Sequence, residues 1–586
     1  MASSTSVSGR SASRMRRIPD ADPEDAAFPS SQSASPVFAL RGSSWCFSKA
    51  MSQPVRRWAL ATLTFLLLSW TSYVALFTSH LDHVIPGRTS SETLSRADFD
   101  GLKVPPQSTK PSSSRRLRLF MPADSPHINL CKTIMSAVAL GYPMPTLLNW
   151  GREYNRPSWH FAGSHIAKLE SLLGGIEALL EGGDASVHDV AVLVDAYDMW
   201  FQLPPSVLLE RYHQLNREAD ARVRKEWAAF ADFPIPPPRQ DIIVTTAKDC
   251  FPDSYSGSDP RYEHWPESPM PKDMYGEGTD VIPWSLDPAR KYKKVRPRCV
   301  NSGLIMGSMG ALRDALRRCK DKIDGVAMNG RQLWSDQALI GEVIGDQEIW
   351  REWVRHLASS WNGSIAHNDK TSLGAAVRSI ADAALLGQRF EFGIGLDYNF
   401  TTAPPTCSAE EDGYFVNLSD PANVTSESEK AGVPGPPRIN GPPPELRRSP
   451  DKLLSGTNWG SVPLYTDFFF GVAPVGIHHN AYVNGLKGLR LRTWWDKMWY
   501  YPQLRDLIVQ RLKPDDEELD QPLAEVEEGI VYRADGHHKT AMVFSPRNPS
   551  GERFVSIAWD GVCQNKASGR MWYDELFGDE KGPLDV

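Results

Sequence analysis

The sequence predicts an α/β fold: a mostly parallel sheet flanked by helices, preceded by one transmembrane helix. Three observations predict it. "VAVLVDAYD" (190–198) and "DIIVTTAKD" (241–249) are near-continuous apolar runs that end in acids. Such runs read as strands buried on both faces, as parallel sheets require. Amphipathic stretches of helical length separate them, which is the βαβ pattern. Finally, Trp58–Thr78 holds 21 residues without a charge, enough to cross about 30 Å of hydrocarbon as a helix.

Each element follows in order. Residues 1–57 are rich in Ser, Pro and Ala with scattered Arg and read as a disordered tail. Arg10, Arg14, Arg16, Arg17, Arg41, Lys49, Arg56 and Arg57 all precede the span, and the first base after it is Arg88. The positive-inside rule therefore puts the tail in the cytosol and residues 79–586 in the lumen, as a single-pass type II protein of the Golgi or ER. A cleaved signal peptide is the alternative, but the segment starts late and is too long for an h-region. Residues 79–118, Ser/Thr/Pro-rich without an apolar period, read as a stem.

A large domain is expected over 119–510. "HINLCKTIMSAVALGYP" has helical spacing and a Gly-Tyr-Pro stop. "SHIAKLESLLGGIEALLE" places Ile166, Leu169, Leu172, Leu173, Ile176 and Leu179 on one broad helical face. "PPSVLLERYHQLNRE" is a helix with Pro near its start. Residues 252–297 read as an ordered substrate-side loop, because a loop so long and so aromatic is usually functional. "CVNSGLIMGSMGALRDALRRC" predicts a turn at Asn301–Gly303, a short strand, a Gly turn and a helix, and Ser335 is an expected N-cap for "DQALIGEVI". Residues 425–458 read as a mobile Pro/Gly-rich insertion, "LYTDFFFGVAPVGIHHN" as strand, and 511–586 as a short β-rich appendage with His537 and His538 exposed.

Composition narrows the function. Hydrophobic content of 41% and charged content of 23% describe a globular protein, and a net charge of −7 argues against a nucleic-acid surface. Six of the seven cysteines follow the span, so an oxidising lumen permits up to three disulfides. Four N-glycosylation sequons, at Asn362, Asn399, Asn417 and Asn423, fall on the same side.

Three residues could build a metal site. Asp195 and Asp198 offer hard carboxylate oxygens at a strand end, and His478 offers an imidazole at the end of a late apolar run. That set suits Mn²⁺ or Mg²⁺ bridging a diphosphate. Strand-end acids also cap helices or bind water, so the pair alone does not decide.

Other segments bear on the choice. In order the chain holds "GSHIAKL", "VLVDAYDMWF", "IVTTAKDCFPD", "VRPRCVNSGLIMG", "WSDQALI", "IGLDYNF" and "GIHHN…GLKG". Over about residues 125–490 it resembles the glycosyltransferase domain of multifunctional procollagen lysyl hydroxylases, and the collagen glucosyl- and galactosyltransferases. The resemblance implies a GT-A-like (Rossmann-like) domain that moves a hexose from a UDP-sugar to a hydroxyl of a glycan or glycoprotein, with Mn²⁺ or Mg²⁺. It implies Asp195, Asp198 and His478 as metal ligands, with His479 taking the place of His478 if the register slips by one. It sets Lys168 near the nucleotide, Tyr197 beside the uridine and Lys487 at the diphosphate, although the spacing to Lys487 is longer than in the family. Asn301, Ser302 and Gly303 would face the donor sugar, and Asp336 and Gln337 the reaction centre. Asp336 and Asn301 are the catalytic candidates, Asp336 as base of an inverting reaction or polar brace of a retaining one.

Each residue also has a plainer reading. Lys168 and Lys487 could be solvated lysines, Tyr197 core packing, Asn-Ser-Gly an ordinary turn, and Asp336 a helix N-terminal acid favoured by the dipole. Asp397 sits two residues before the Asn399 sequon, so either that sequon is unused or Asp397 lies at the rim. After residue 500 nothing matches the hydroxylase region of the larger enzymes. The rival functions are a non-catalytic sugar- or protein-binding relative and a nucleotide-sugar hydrolase.

Overall fold

The structure is a computed structural model that describes residues 92–103, 113–156, 159, 162–248, 250, 258–280, 294–331, 333, 335–370, 372–408, 412–447, 458–480, 485–513, 521–526, 529–565 and 569–585. The expected tail 1–57 and span 58–78 lie outside them. Among the described residues no helix is long and apolar enough to cross a membrane. The chain divides into two compact units. Of the smaller, only Glu92 and four residues within 368–372 are described; the larger, Thr93–His367 with Leu373–Val586, holds everything below.

The strands that matter here are, in chain order, β1 (Ser114–Pro122), β2 (Thr146–Leu148), β3 (Val190–Val194), β4 (Met199–Phe201), β5 (Ile242–Ala247), β6 (Cys299–Ser308) and β7 (Ile394–Asp397). Then come β8 (Gly413–Asn417), β9 (Pro463–Asp467), β10 (Gly476–His478), β11 (Ala524–Val526), β12 (Ile530–Ala534), β13 (Met542–Phe544) and β14 (Phe554–Ser556). The helices that matter here are α1 (Ile128–Ala139), α2 (Ala162–Gly182), α3 (Pro205–Trp227), α4 (Met309–Met328), α5 (Asp336–Ser359), α6 (Leu486–Thr493) and α7 (Leu504–Leu512).

A ten-stranded sheet runs β14-β13-β2-β1-β3-β6-β5-β7, with β12 beside the start of β1 and β11 beside β12. β2, β3, β5, β7, β12 and β13 run parallel to β1, while β6, β11 and β14 run against it. The sheet is therefore mostly parallel. Val190, Val192 and Val194 of β3 pack with α1, α3 and α7 on one face, and Ala191 and Leu193 pack with α2, α4 and α5 on the other. Helices cover both faces, which explains the uninterrupted apolar run: each buried Val or Leu side chain is worth about 1.5–3 kcal/mol.

Several expectations change. Asn301-Ser302-Gly303 is no turn but part of the ten-residue β6, and Ser308 caps α4 directly, its hydroxyl accepting from the N–H of Ala311 at 3.4 Å, with no Gly turn between. β6 fills the slot between β3 and β5 and must pair on both edges, so turn chemistry is absorbed as a bulge. Val244 faces Ile305, yet the next residue, Thr245, faces Asn301. Residues 511–586 are β-rich, as expected, but they are no appendage: β12 lies parallel to β1 and β13 parallel to β2, and a disulfide joins Cys131 to Cys563. The parallel strands β1 and β2 have edges that only a late segment can satisfy. A second bridge joins Cys250 and Cys299, and buried Cys319 and Cys407 lie outside both bridges.

Order also starts inside the expected stem. Phe99 is fully buried edge-on to Phe233 and Trp361, at 5.1 and 5.6 Å. In the 252–297 loop, Trp265 is buried and Arg296 clasps Asp280 at 2.6 Å. The 425–458 insertion holds a defined course to Arg447: its start continues the helix Pro421–Ala431, and Arg438 donates to the carbonyls of Phe469 and Met274.

A candidate metal site at the carboxyl end of the sheet

β3 delivers the first acid. The N–H of Asp195, just past the strand, donates to the carbonyl of Gly303 at 3.0 Å. The chain turns through Tyr197, and Asp198 leads into β4. β4 pairs antiparallel with β10, setting Met199 opposite His478, and the N–H of His479 donates to the Asp198 carbonyl at 2.7 Å. This short ladder brings the imidazole to the acids from the far end of the sequence.

His478 Nε2 lies 3.3 Å from Asp195 Oδ2 and 3.5 Å from Asp198 Oδ2, and donor atoms from all three residues lie within 4.8 Å of one another. Ligands bound at about 2.1 Å and at right angles around one small divalent ion sit roughly 3 Å apart. Asp195, Asp198 and His478 could therefore hold a metal ion. Neighbouring strand residues face opposite ways, so His479 turns from the acids and packs against Trp200, ring centres 4.1 Å apart. His478 is the ligand candidate and His479 a wall residue.

Two lysines frame the acids. Lys487, near the start of α6, lies 3.1 Å from Asp198 Oδ2. Lys168, from α2, lies 2.6 Å from Asp195 Oδ1 and 2.9 Å from Asp336 Oδ2, and it donates to the Ser302 carbonyl at 2.8 Å. An ammonium group has three donors, and here all three have oxygen partners. Buried Lys168 is thus a brace, where the sequence set it near the nucleotide. Asp336, the first residue of α5 after its N-cap Ser335, is 6% exposed and held by that brace.

The charges explain the titration. Burial alone would raise the Asp195 carboxyl, but Lys168 and His478 bring it down to about 2. Burial opposes Asp198 likewise, and Lys487 and His478 hold it far below the usual carboxylate range. Burial would lower His478, yet Asp198 and Asp195 lift it to about 9. Burial, with Arg490 beside it, pushes His479 well below the ordinary histidine range. With His478 neutral, three carboxylates face two ammonium groups, leaving one negative charge in a low-dielectric pocket. A cation balances it: the His478 proton, or a metal ion bound to the deprotonated ring.

Gly303 makes room for the imidazole. A Cβ there would lie 2.3 Å from His478 Nδ1. Asn301 ties the bulge together, accepting from the Gly303 N–H at 3.0 Å and donating to Gln337 Oε1 at 3.2 Å. Asn301, Ser302, Gly303, Asp336 and Gln337 are thus brought to one wall beside Asp195. Tyr197 is half-buried, its hydroxyl donating to the Ser125 carbonyl at 2.9 Å in the loop after β1. Asp397 is 1% exposed and accepts from the N–H and hydroxyl of Thr402, both at 2.7 Å, so it shapes a loop and is not at the rim.

Two residues escaped the sequence reading. The Thr406 hydroxyl has one proton, shared between the His478 carbonyl at 2.9 Å and the Asn480 carbonyl at 2.8 Å, and it accepts from buried Arg490 at 2.9 Å. Together they fix the backbone that carries His478. A lone Thr in "APPTCS" and an Arg in a basic helix give no local signal; only the fold joins them. Compared with known proteins, the chain matches no family model and no curated protein.

Proposed function

We propose that the chain is a metal-dependent, GT-A-like glycosyltransferase that moves a hexose from a UDP-sugar to a hydroxyl of a glycan or glycoprotein. One observation carries this reading: Asp195, Asp198 and His478 converge, with Lys487 beside them, at the carboxyl end of a buried parallel strand. Ligands of open α/β sheets bind at that end. Asp195, Asp198 and His478 would hold Mn²⁺ or Mg²⁺, which when bound supplies a Lewis acid that neutralises charge on a departing diphosphate.

The chain's own residues have defined tasks in this scheme. Lys487, whose side chain is 31% exposed, would meet the diphosphate from the solvent side. Lys168 would keep Asp195 ionised and oriented, and Asp336 would act through Lys168 as a polar brace. Asn301, Ser302, Gly303 and Gln337 would form the wall for the donor sugar, and Tyr197 would flank the base. Holding acceptor hydroxyl and sugar together supplies proximity. We place the catalytic body in the Golgi or ER lumen, anchored by residues 58–78.

The test uses the full-length chain in detergent with Mn²⁺ and a panel of UDP-sugars. The reading expects Mn²⁺-dependent UDP release and a mass gain on a glycan or glycoprotein acceptor. UDP release without transfer to any acceptor would favour a nucleotide-sugar hydrolase. No UDP release and no Mn²⁺-dependent UDP binding would sink the enzyme reading.

A further inference from the structure

The sequons at Asn362, Asn399 and Asn417 stand in different surroundings. Asn362 is exposed, and its side-chain oxygen accepts from the N–H groups of Ser364 and Ile365 at 3.1 and 3.0 Å. Asn417 accepts from the Ser419 N–H at 3.0 Å. Asn399 is half-buried, its carboxamide has no hydrogen-bond partner among the described residues, and it lines a cavity of about 240 Å³. Gln214, Asn440, Pro443 and Glu445 line the same cavity. A single water needs only roughly 10–15 Å³ of such space, so the cavity has room for a group the size of a sugar ring, and its mixed amide, carboxylate and proline lining suits one.

The walls are fixed from behind. Arg211 is 4% exposed and donates to the carbonyls of Thr401 and Ala473 at 2.6 and 2.9 Å and to Glu445 at 2.9 Å. A buried Asp397 does not rule the sequon out, contrary to the alternative the sequence posed: its carboxylate turns inward to Thr401 and Thr402, while Asn399, two residues on, is half-buried and lines the cavity. Phe400 takes a left-handed φ of 56° and buries its ring against Phe470. The sequon's outer residues are thus split from its middle one, and Asn399 faces the cavity while Phe400 faces the core.

We propose that Asn399 carries an N-linked glycan whose first sugar seats in this cavity. The inference rests on the luminal placement of residues 79–586. The Asn399 amide nitrogen bonds to C1 of the first sugar of a lipid-linked diphospho-oligosaccharide. The C1–O bond breaks, the lipid diphosphate leaves, and the amide loses one proton. This happens on the extended chain, before the Thr401 hydroxyl donates to Asp397 at 3.1 Å. On folding, the sugar's hydroxyl and acetamido groups meet the side-chain amides of Gln214 and Asn440, and its apolar face meets the Pro442–Pro444 edge.

The experiment takes the full-length chain from a eukaryotic secretory host and maps glycopeptides by mass, before and after amidase deglycosylation of the native protein. The expected result is occupancy at Asn399, with its glycan retained under native conditions that strip Asn362, and lost from both after denaturation. Asn399 empty while another sequon is occupied overturns the inference but leaves the luminal reading standing. Asn399 occupied but stripped as fast as Asn362 overturns the seating. No occupancy at any sequon overturns the luminal placement and this inference with it. All four results come from the wild-type chain, so no variant has to fold.

Discussion

Asp195 and Asp198 follow β3, and Lys248 follows β5 beside Asp412 and Asp467. Both clusters are buried, the first with three acids once Asp336 is counted and the second with two, yet Asp195 and Asp198 are held down while Asp467 is pushed up. In the first, Lys168, Lys487 and His478 surround the acids and hold them ionised. In the second, one lysine pairs with Asp412, whose carboxylate also accepts from Tyr275 at 3.1 Å. Asp467 takes the N–H groups of Phe469 and Phe470, both at 3.0 Å, but burial and then Asp412 push its carboxyl up to about 7. Burial is common to both, so the number of cations per acid decides. The first cluster keeps Asp195 and Asp198 charged; the second lets Asp467 take up a proton near neutral pH and ties the end of β5 to the antiparallel β8–β9 pair.

The largest effect should come from removing one charge at the first cluster. Asp198→Asn removes the negative charge of a candidate ligand and should lower Mn²⁺ affinity by about 100-fold, the upper end of the cost of losing a supporting partner. Electron paramagnetic resonance of free Mn²⁺ during titration measures it. Unchanged binding would remove the metal assignment.

At the second cluster the same kind of change should stabilise. The folded pKa of Asp467 lies above its unfolded value of about 3.8, so the folded state holds the proton longer. Stability from this group is full below pH 4 and falls as pH rises to about 7. Three units at 1.36 kcal/mol give about 4 kcal/mol as an upper bound. Asp467→Asn still accepts the two N–H groups, so denaturant melts should show it gaining on wild type from pH 5 to pH 8. A difference that is flat with pH would contradict the contrast.

Smaller effects probe the first cluster's support. Gly303→Ala would press a methyl onto His478, and overpacking of this kind costs about 1–3 kcal/mol. Thermal melts should show that loss, and Mn²⁺ affinity should fall with it. Thr406→Val removes the shared O–H that holds the His478 and Asn480 carbonyls, together with the oxygen that accepts from Arg490. It should weaken Mn²⁺ about tenfold, the low end for a supporting partner, while the fold melts within a few degrees of wild type. An unchanged Mn²⁺ titration would make Thr406 merely structural.

Much of this was legible in the sequence wherever one local signal sufficed. The β3 and β5 runs, the apolar face of α2, the Ser335 cap and the acids at 195 and 198 follow from periodicity and capping alone. His478 was legible as the polar end of an apolar run. What failed needed partners from far away. Asn-Ser-Gly is good turn chemistry, and only the slot between β3 and β5 makes it strand. Nothing near Ile530 or Met542 says that these strands pair with β1 and β2. Lys168 looks like a helix surface lysine until Asp195, Ser302 and Asp336 close on it. Thr406 and Arg490 carry no pattern, because their task exists only once β10 reaches β4.

The most direct test of the central claim is a Mn²⁺ titration of the full-length chain, wild type and Asp198→Asn, with and without UDP. One Mn²⁺ site in wild type, its loss in Asp198→Asn, and UDP binding that vanishes with a chelator are the predicted results. Equal Mn²⁺ binding in both chains, or UDP binding indifferent to the chelator, would contradict a metal and diphosphate site at Asp195, Asp198 and His478.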